Sequence, residues 1–367
     1  VMKNLARKLL PTRSKQILRG LLGKWDVFLT RCFSTAWVLA HPRLASLFYA
    51  FFSSQFDREH LAILAGKKAY RYKLGPSNTS PLLRRNIHRI EKGLCMSPMR
   101  PVFAEDFIVE TVNCFVQLQS QQQVCQTELT WANDVLKAYF SVVSSTPITD
   151  QARVIFAQQA AFYPEPDPLD VVNIASHTPY ARHLGHHSDV SVEQFHSLCL
   201  QRRSVRWFLP QSVDDELLNQ AIMTASLAPS ACNRQPFSFH VANDATLAAE
   251  VASFAGGTRG FADNIPCLLV VVGDLSAYPS ERDRHVIYID GALAAMQLML
   301  ALETLGLSSC PINWPDLDVP EQKMAKKLNL LPFQRPVMLL AVGYAKPDGM
   351  IPYSQKKTVD VLRKDIK

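Results

Sequence analysis

Arg202-Arg203-Ser204-Val205-Arg206 sets three guanidinium groups and a hydroxyl within five residues. In an extended stretch the side chains of 202, 204 and 206 share one side, so two forked donors and a hydroxyl converge on a single anionic group. A phosphate is the natural partner, because its oxygens match the planar donor pairs of arginine. Some twenty residues later comes Ala228-Pro229-Ser230-Ala231-Cys232-Asn233-Arg234-Gln235-Pro236-Phe237. Small and amide residues dominate this turn, letting backbone approach a planar ligand while Asn233 and Gln235 offer donor and acceptor groups.

Side-chain nucleophiles and metals are not expected to carry the chemistry. The sequence has no GxSxG elbow, HExxH helix or paired-carboxylate signature. Its eight cysteines form no CxxC or paired spacing, which points to reduced thiols in a cytosolic protein. Cys232 and Cys310 lie in the ligand segments but read as small packing residues. His177, His183, His186 and His187 lack an accompanying carboxylate or cysteine pair, so no metal site is expected.

The elements that must position these residues follow from hydrophobic spacing. Helices are expected over Val192–Gln201 and Asp214–Leu227, the second capped by Ser212, with strands over Phe237–Val241, Cys267–Val272 and Pro336–Gly343. The unbroken apolar run of the second strand predicts burial on both faces. Ile289–Leu305 reads as a helix apolar all round and ended by Gly306, which must lie in a core or a subunit interface. Alternating helices and strands predict a layered α/β or α+β domain.

The first half is different. Residues 1–100 hold 19 Lys and Arg against four acids, while the remainder holds 20 against 28. The whole chain of 367 residues exceeds the length of an ordinary single domain. A basic amphipathic segment runs from Leu5 to Leu29, without a compact apolar run ending in a cleavage site, so no secretory signal is expected. Phe33–Phe56 is aromatic-rich but broken by His41-Pro42-Arg43, a poor transmembrane helix. Two readings remain open: helices buried against the rest of the protein, or an interfacial anchor on anionic lipid at the inner face of the membrane. Leu82–Met96 packs Arg84, Arg85, His88, Arg89 and Lys92 into one helix stopped by Gly93. That run suits either a solvated face or an anionic partner. Phe103–Val143 reads as two helices, and Thr146–Ser191, with its PEPDP stretch, as a long connection. The expected organisation is a mainly helical region over 1–145, a connection over 146–191 and a second domain over 192–367. No nucleic-acid-binding motif accompanies the charge.

RRSVRWF, APSACNRQPFSF, DGALAAMQLMLALETLGLSSCPINW, PVMLLAVGYAKP and SQKKTVDVL occur in that order over about residues 195–365. This conjunction resembles the FMN-dependent nitroreductase family. The resemblance implies an α+β, nitroreductase-like domain that dimerises through long helices, with FMN at the interface of a homodimer. Arg202, Arg203, Ser204 and Arg206 would then grip the phosphate and ribityl chain, joined by Lys356. Pro229, Ser230, Ala231, Asn233 and Gln235 would reach a flavin from the partner, and Pro311, Ile312 and Asn313 would lie near the isoalloxazine. Departures are Ser308 for a usual glycine, Lys356 for a usual arginine, and Asn313-Trp314, where Trp314 would stack near the ring or narrow the pocket. The implied activity is ping-pong reduction of a small-molecule acceptor by NADH or NADPH, with the flavin rather than a side chain carrying the chemistry. The alternative is a membrane- or partner-docking protein with a vestigial flavin fold, serving surface-polysaccharide biosynthesis.

Overall fold

The computed structural model describes residues 41–72, 78–121, 124–158 and 177–366, together with Lys24 and Phe28. Most of the Leu5–Leu29 segment and the PEPDP stretch lie outside the described residues. The chain divides into two compact units at His60/Leu61. In the first, α1 (Pro42–Phe52) begins with proline at its first turn, where the missing N–H costs no hydrogen bond. The division falls within α2 (Asp57–Tyr72).

In the second unit, α3 (Pro81–Leu94), α4 (Ile108–Gln119) and α5 (Gln126–Val142) share one apolar core. Leu83, Ile87, Ile90, Phe115, Leu136 and Tyr139 are fully buried in it. Gly93 does not stop α3, which runs on to Leu94. A Cβ there would overlap the Phe103 ring, so this glycine serves a close approach between elements. The connection expected from residue 146 begins later, because Pro147–Ala157 is a further helix, α6. Thr146 caps it, accepting the Thr149 N–H at 3.2 Å, and Ala152 and Phe156 join the same core. That capping box carries threonine where Glu or Gln is usual, and so it escapes a search for the ordinary pattern.

The remaining elements form an α+β layered domain. A four-stranded antiparallel sheet of β1 (Phe237–Ala242), β2 (Cys267–Asp274), β3 (Ser308–Asn313) and β4 (Gln334–Gly343) has the order β1-β2-β4-β3. The register slips between Val271 and Val272, opposite Met338 and Pro336, where a proline cannot donate to the ladder. Alternate residues of β2 serve two cores. Leu268, Val270 and Val272 pack beside α9 (Ala245–Ala252). Cys267, Leu269 and Val271 pack beside α8 (Asp215–Ser226) and α10 (Val286–Thr304). This is the expected burial of β2 on both faces.

The helix α7 (Val192–Gln201) matches its expected bounds. In α8 the cap is Asp214 rather than Ser212, its carboxylate accepting the Glu216 N–H at 2.9 Å. At the end of α10, Gly306 adopts φ +77°, Leu307 N–H reaches Leu302 O at 2.9 Å and Gly306 N–H reaches Glu303 O at 3.3 Å. These paired bonds satisfy the last carbonyls and require a residue tolerant of the left-handed region. The α10 helix is not buried all round. Ile289, Leu293 and Met296 stand exposed at helical spacing, with Ile289 56% accessible. Two short helices complete the domain, α11 (Asp318–Leu328) and α12 (Val359–Leu362).

Candidate functional site

The stretch after α7 is extended from its first residue, Arg202 having φ −62° and ψ 111°. It lies along the sheet edge: Ser204 pairs with Ser309 of β3, and Val205 N–H donates to Ser309 O at 3.0 Å. Further on, Leu209 N–H meets Tyr344 O at 2.8 Å, and Lys346 N–H meets Trp207 O at 2.9 Å. Edge pairing fixes the alternation of side chains, so a cleft forms that is lined by Arg202, Arg203, Ser204, Arg206 and Lys356 together with Pro352 and Ser354. The structure thus gathers the sequence-predicted cations around one small cavity, across about 150 positions of chain. Arg203 contributes differently from its neighbours. Its guanidinium donates to the carbonyls of Pro352 (2.7 Å) and Tyr353, holding the C-terminal segment that brings Lys356 to the cleft.

Among the described residues no carboxylate lies within ion-pair distance of Arg202, Arg203 or Arg206. Arg202 Nε and Ser309 Oγ are buried without a hydrogen-bond partner. An orphaned buried donor in a cationic cleft is costly unless a ligand completes it. Glu303 supplies nearby negative charge. Burial pushes its carboxyl above the usual range, while Arg202 and a hydrogen bond from Gln201 at 3.4 Å act in the opposite direction. The donor set fits a phosphomonoester: forked donors, a hydroxyl and an ammonium, with one guanidinium N–H still unpaired.

The second predicted segment is a strained turn. Cys232, Asn233 and Gln235 have φ of 53°, 50° and 48°, in the left-handed region that non-glycine residues seldom adopt. Such strain persists only where the surroundings over-determine it. Ser230 Oγ accepts the Gln235 N–H at 3.1 Å, and Gln235 Nε2 donates to Ser226 O at 2.7 Å. Ala231 N–H donates to Asp290 Oδ2 at 2.9 Å, with Tyr278 O–H on the same oxygen at 3.4 Å. Arg234 lies over the Tyr278 ring, 4.9 Å from its centre. Both ends of the Gln235 amide are occupied by protein, since Arg84 donates to its Oε1 at 3.0 Å. Gln235 therefore shapes the turn rather than offering a free amide. Pro229, Ser230 and Ala231 build the same turn, and Asn233 presents its carbonyl to Arg84 at 2.8 Å.

Pro311, Ile312 and Asn313 end β3, with Pro311 and Asn313 exposed and the Ile312 side chain turned into the core. Ile312 can meet a ligand only through its backbone. Trp314 is no wall of an open pocket. It is packed in the core beside the sheet, and its indole N–H donates to Glu321 Oε1 at 2.8 Å, which itself pairs with Arg335 at 3.3 Å. The indole finds its hydrogen bond inward, which fixes the ring there. Burial pushes up the Cys310 thiol, and that of Cys267 to about 12, so these two are packing residues rather than nucleophiles. Among the described residues no group of three or more His, Cys, Asp or Glu side chains is placed to hold a metal ion.

Sequence reasoning missed three residues that build the turn: Arg84, Asp290 and Arg234. Asp290 carried a signal, as the only charged side chain in the run from Val286 to Leu302. Arg84 was one member of a cation-rich run, and nothing local distinguished it from its neighbours. Three members of that run are paired, Arg84 with Glu128, His88 with Glu91, and Arg89 with Asp106, each at 3.1 Å, while Lys92 stays exposed.

Comparison with known proteins finds similarity in this half of the chain. The nitroreductase family model matches residues 199–257 and 244–344. Iodotyrosine deiodinase 1 of Pongo abelii is 24% identical over 201 residues, covering 46% of this chain and 67% of that protein. A putative NADH dehydrogenase/NAD(P)H nitroreductase of Archaeoglobus fulgidus is 27% identical over 164 residues, covering 43% of this chain and 88% of its own. Among solved structures, a nitroreductase family protein from Streptococcus pneumoniae TIGR4 is 25% identical with a TM-score of 0.41, covering 47% of this chain and all of that one.

Proposed function

Residues 199–344 are a nitroreductase-family domain, and from that premise we propose that the protein is an FMN-dependent oxidoreductase that uses NADH or NADPH to reduce a small organic acceptor. The observation that carries this reading is the cleft of Arg202, Arg203, Ser204, Arg206 and Lys356, with Arg202 Nε buried and unpartnered. When bound, FMN supplies the redox chemistry, taking up reducing equivalents from the nicotinamide and passing them to the acceptor in alternate half-reactions. The protein's part is to bind and orient. Arg202 and Arg206 neutralise the phosphate, Ser204 donates its hydroxyl, Lys356 adds a point charge, and Arg203 holds the C-terminal segment in place. Pairing with β3 fixes the Ser204 side of the cleft, which reduces the ordering that binding requires there.

The turn of 229–235 and the exposed side of α10 belong to the same proposal. Ile289, Leu293 and Met296 form an apolar stripe suited to a second copy of this chain, and Asp290 on the same helix holds the turn. A homodimer would therefore bring α10 and the turn together to the interface where the cofactor is read to sit. Relatives named as an iodotyrosine deiodinase and a putative NAD(P)H nitroreductase support a reducible organic acceptor. A titration tests the phosphate grip: FMN should bind at least about tenfold tighter than riboflavin, which lacks the phosphate. Equal affinities would contradict it.

A second reading concerns the basic half. Within the first unit, α1 exposes Leu47, Phe51 and Phe52, with Phe51 77% accessible. Within the second, α2 exposes Leu61 and Leu64, followed on the same side by Lys68 and Arg71. Exposed apolar residues beside cations suit peripheral association with anionic lipid, at the cytoplasmic face.

A further inference from the structure

Arg84 lies in α3, more than a hundred positions before the nitroreductase-family match, yet its side chain ends on the strained turn. Nε donates to Asn233 O at 2.8 Å and one terminal nitrogen to Gln235 Oε1 at 3.0 Å, while the other meets Glu128 Oε2 at 3.1 Å. Asn233 and Gln235 are two of the three residues of this turn that hold positive φ. The guanidinium is itself fixed. Its side chain is 15% exposed, it lies 5.4 Å from the centre of the Trp131 ring, and Glu128 is 2% exposed. Glu128 is anchored in turn by Thr79 Oγ1 at 2.5 Å and Ser80 N–H at 2.9 Å. A charged fork held this firmly dictates where its acceptors must stand, and only arginine can serve three acceptors in one plane.

We infer that Arg84 is a positioning residue for the cofactor site: the helical region ahead of the matched domain locks the turn of 231–235, and cofactor affinity depends on that lock. This rests on the flavin reading of the turn. The local sequence of the turn cannot supply the constraint alone. Bonds from within the matched domain, among them Asn233 N–H to Ser230 O, Gln235 N–H to Ser230 Oγ, Gln235 Nε2 to Ser226 O and Ala231 N–H to Asp290, leave the Asn233 carbonyl and Gln235 Oε1 without a donor from that domain. Arg84 provides both. The cation-rich run in α3 thereby acquires a specific member, distinct from Arg89, which pairs with Asp106 at 3.1 Å and covers the Phe107 ring at 3.6 Å.

The test compares full-length wild type with Arg84→Lys, Arg84→Met and, as control, Arg89→Met. Two readouts are taken: FMN affinity by fluorescence titration, and hydrogen exchange of the 231–235 amides without FMN. Arg84→Lys keeps a cation at Glu128 but loses the fork, so helix protection in α3 and α5 should persist while the turn exchanges faster. FMN binding should weaken by about tenfold or more in both Arg84 variants. Arg89→Met should alter neither readout. Wild-type affinity and wild-type exchange in Arg84→Lys would overturn the inference, whatever becomes of Arg84→Met. If the turn loosens but the wild type itself binds no FMN, the lock stands and the flavin reading fails.

Discussion

Asp290 Oδ2 accepts the backbone N–H of Ala231 at 2.9 Å, joining a buried carboxylate of the apolar helix α10 to a turn strained by three left-handed residues. Burial raises the Asp290 carboxyl above its usual range, with the bonds from Ala231 and Tyr278 and the charge of Arg234 working against that rise. The folded chain thus retains a proton that the unfolded chain releases. The resulting relative stability is full below the unfolded pKa of about 4 and is lost as pH rises through the raised folded value. Asp290→Asn keeps an oxygen for Ala231 and removes this dependence. In urea unfolding, the variant should gain on wild type as pH goes from about 4 to about 7. A difference that does not change with pH would contradict the assignment.

Gly66 in α2 is expected to resist substitution. Alanine usually improves a helix interior, but a Cβ there would stand 2.7 Å from the Leu275 carbonyl oxygen, which is backbone and cannot turn aside. Gly66→Ala should lower stability by about 1–3 kcal/mol in denaturant unfolding, the cost of overpacking. A stabilised variant would mean that α2 does not pack this closely.

The exposed stripe on α10 predicts oligomeric state. Leu293→Asp places a charge in its middle, between Ile289 and Met296, and should shift the protein from dimer to monomer in sedimentation velocity. A wild type that is monomeric at micromolar concentration would remove the stripe's assigned role.

Much of the second domain was legible because its patterns are local. The uninterrupted CLLVVV run could hardly be anything but a strand buried on both sides, and Gly306 marked the end of α10 through a conformational need. The grouping of Arg202, Ser204 and Arg206 was legible for the same reason, alternation in an extended segment, whereas alternation does not place Arg203 in the cleft it also lines. What remained hidden depends on contacts far apart in sequence. The spacing that makes α10 apolar all round could not reveal that Ile289, Leu293 and Met296 stay exposed in one chain. Nor could it say that Trp314 turns its N–H inward to Glu321. Arg84 was visible only as charge density, since its acceptors in the turn lie 149 and 151 positions away. Gly93 resembled a helix stop because sequence shows a missing side chain but not the Phe103 ring that needs its absence.

Peripheral membrane association has a direct check. Full-length protein should co-sediment with vesicles containing phosphatidylserine, less so with neutral vesicles, and less again at about 0.5 M salt, where the Debye length has contracted to about 4 Å. Phe51→Ser with Leu64→Ser should weaken binding without changing flavin affinity. Equal sedimentation with neutral and anionic vesicles would contradict the charge-based account.

The central claim is that the cleft of Arg202, Ser204, Arg206 and Lys356 holds the phosphate of FMN. Its most direct measurement is flavin content per chain, from visible absorbance after reconstitution with FMN and gel filtration. Wild type should retain close to one flavin per chain, and Arg202→Ala with Arg206→Ala should lose it while remaining folded by circular dichroism. A wild type that stays colourless after reconstitution, or a double variant that keeps full occupancy, would contradict the account.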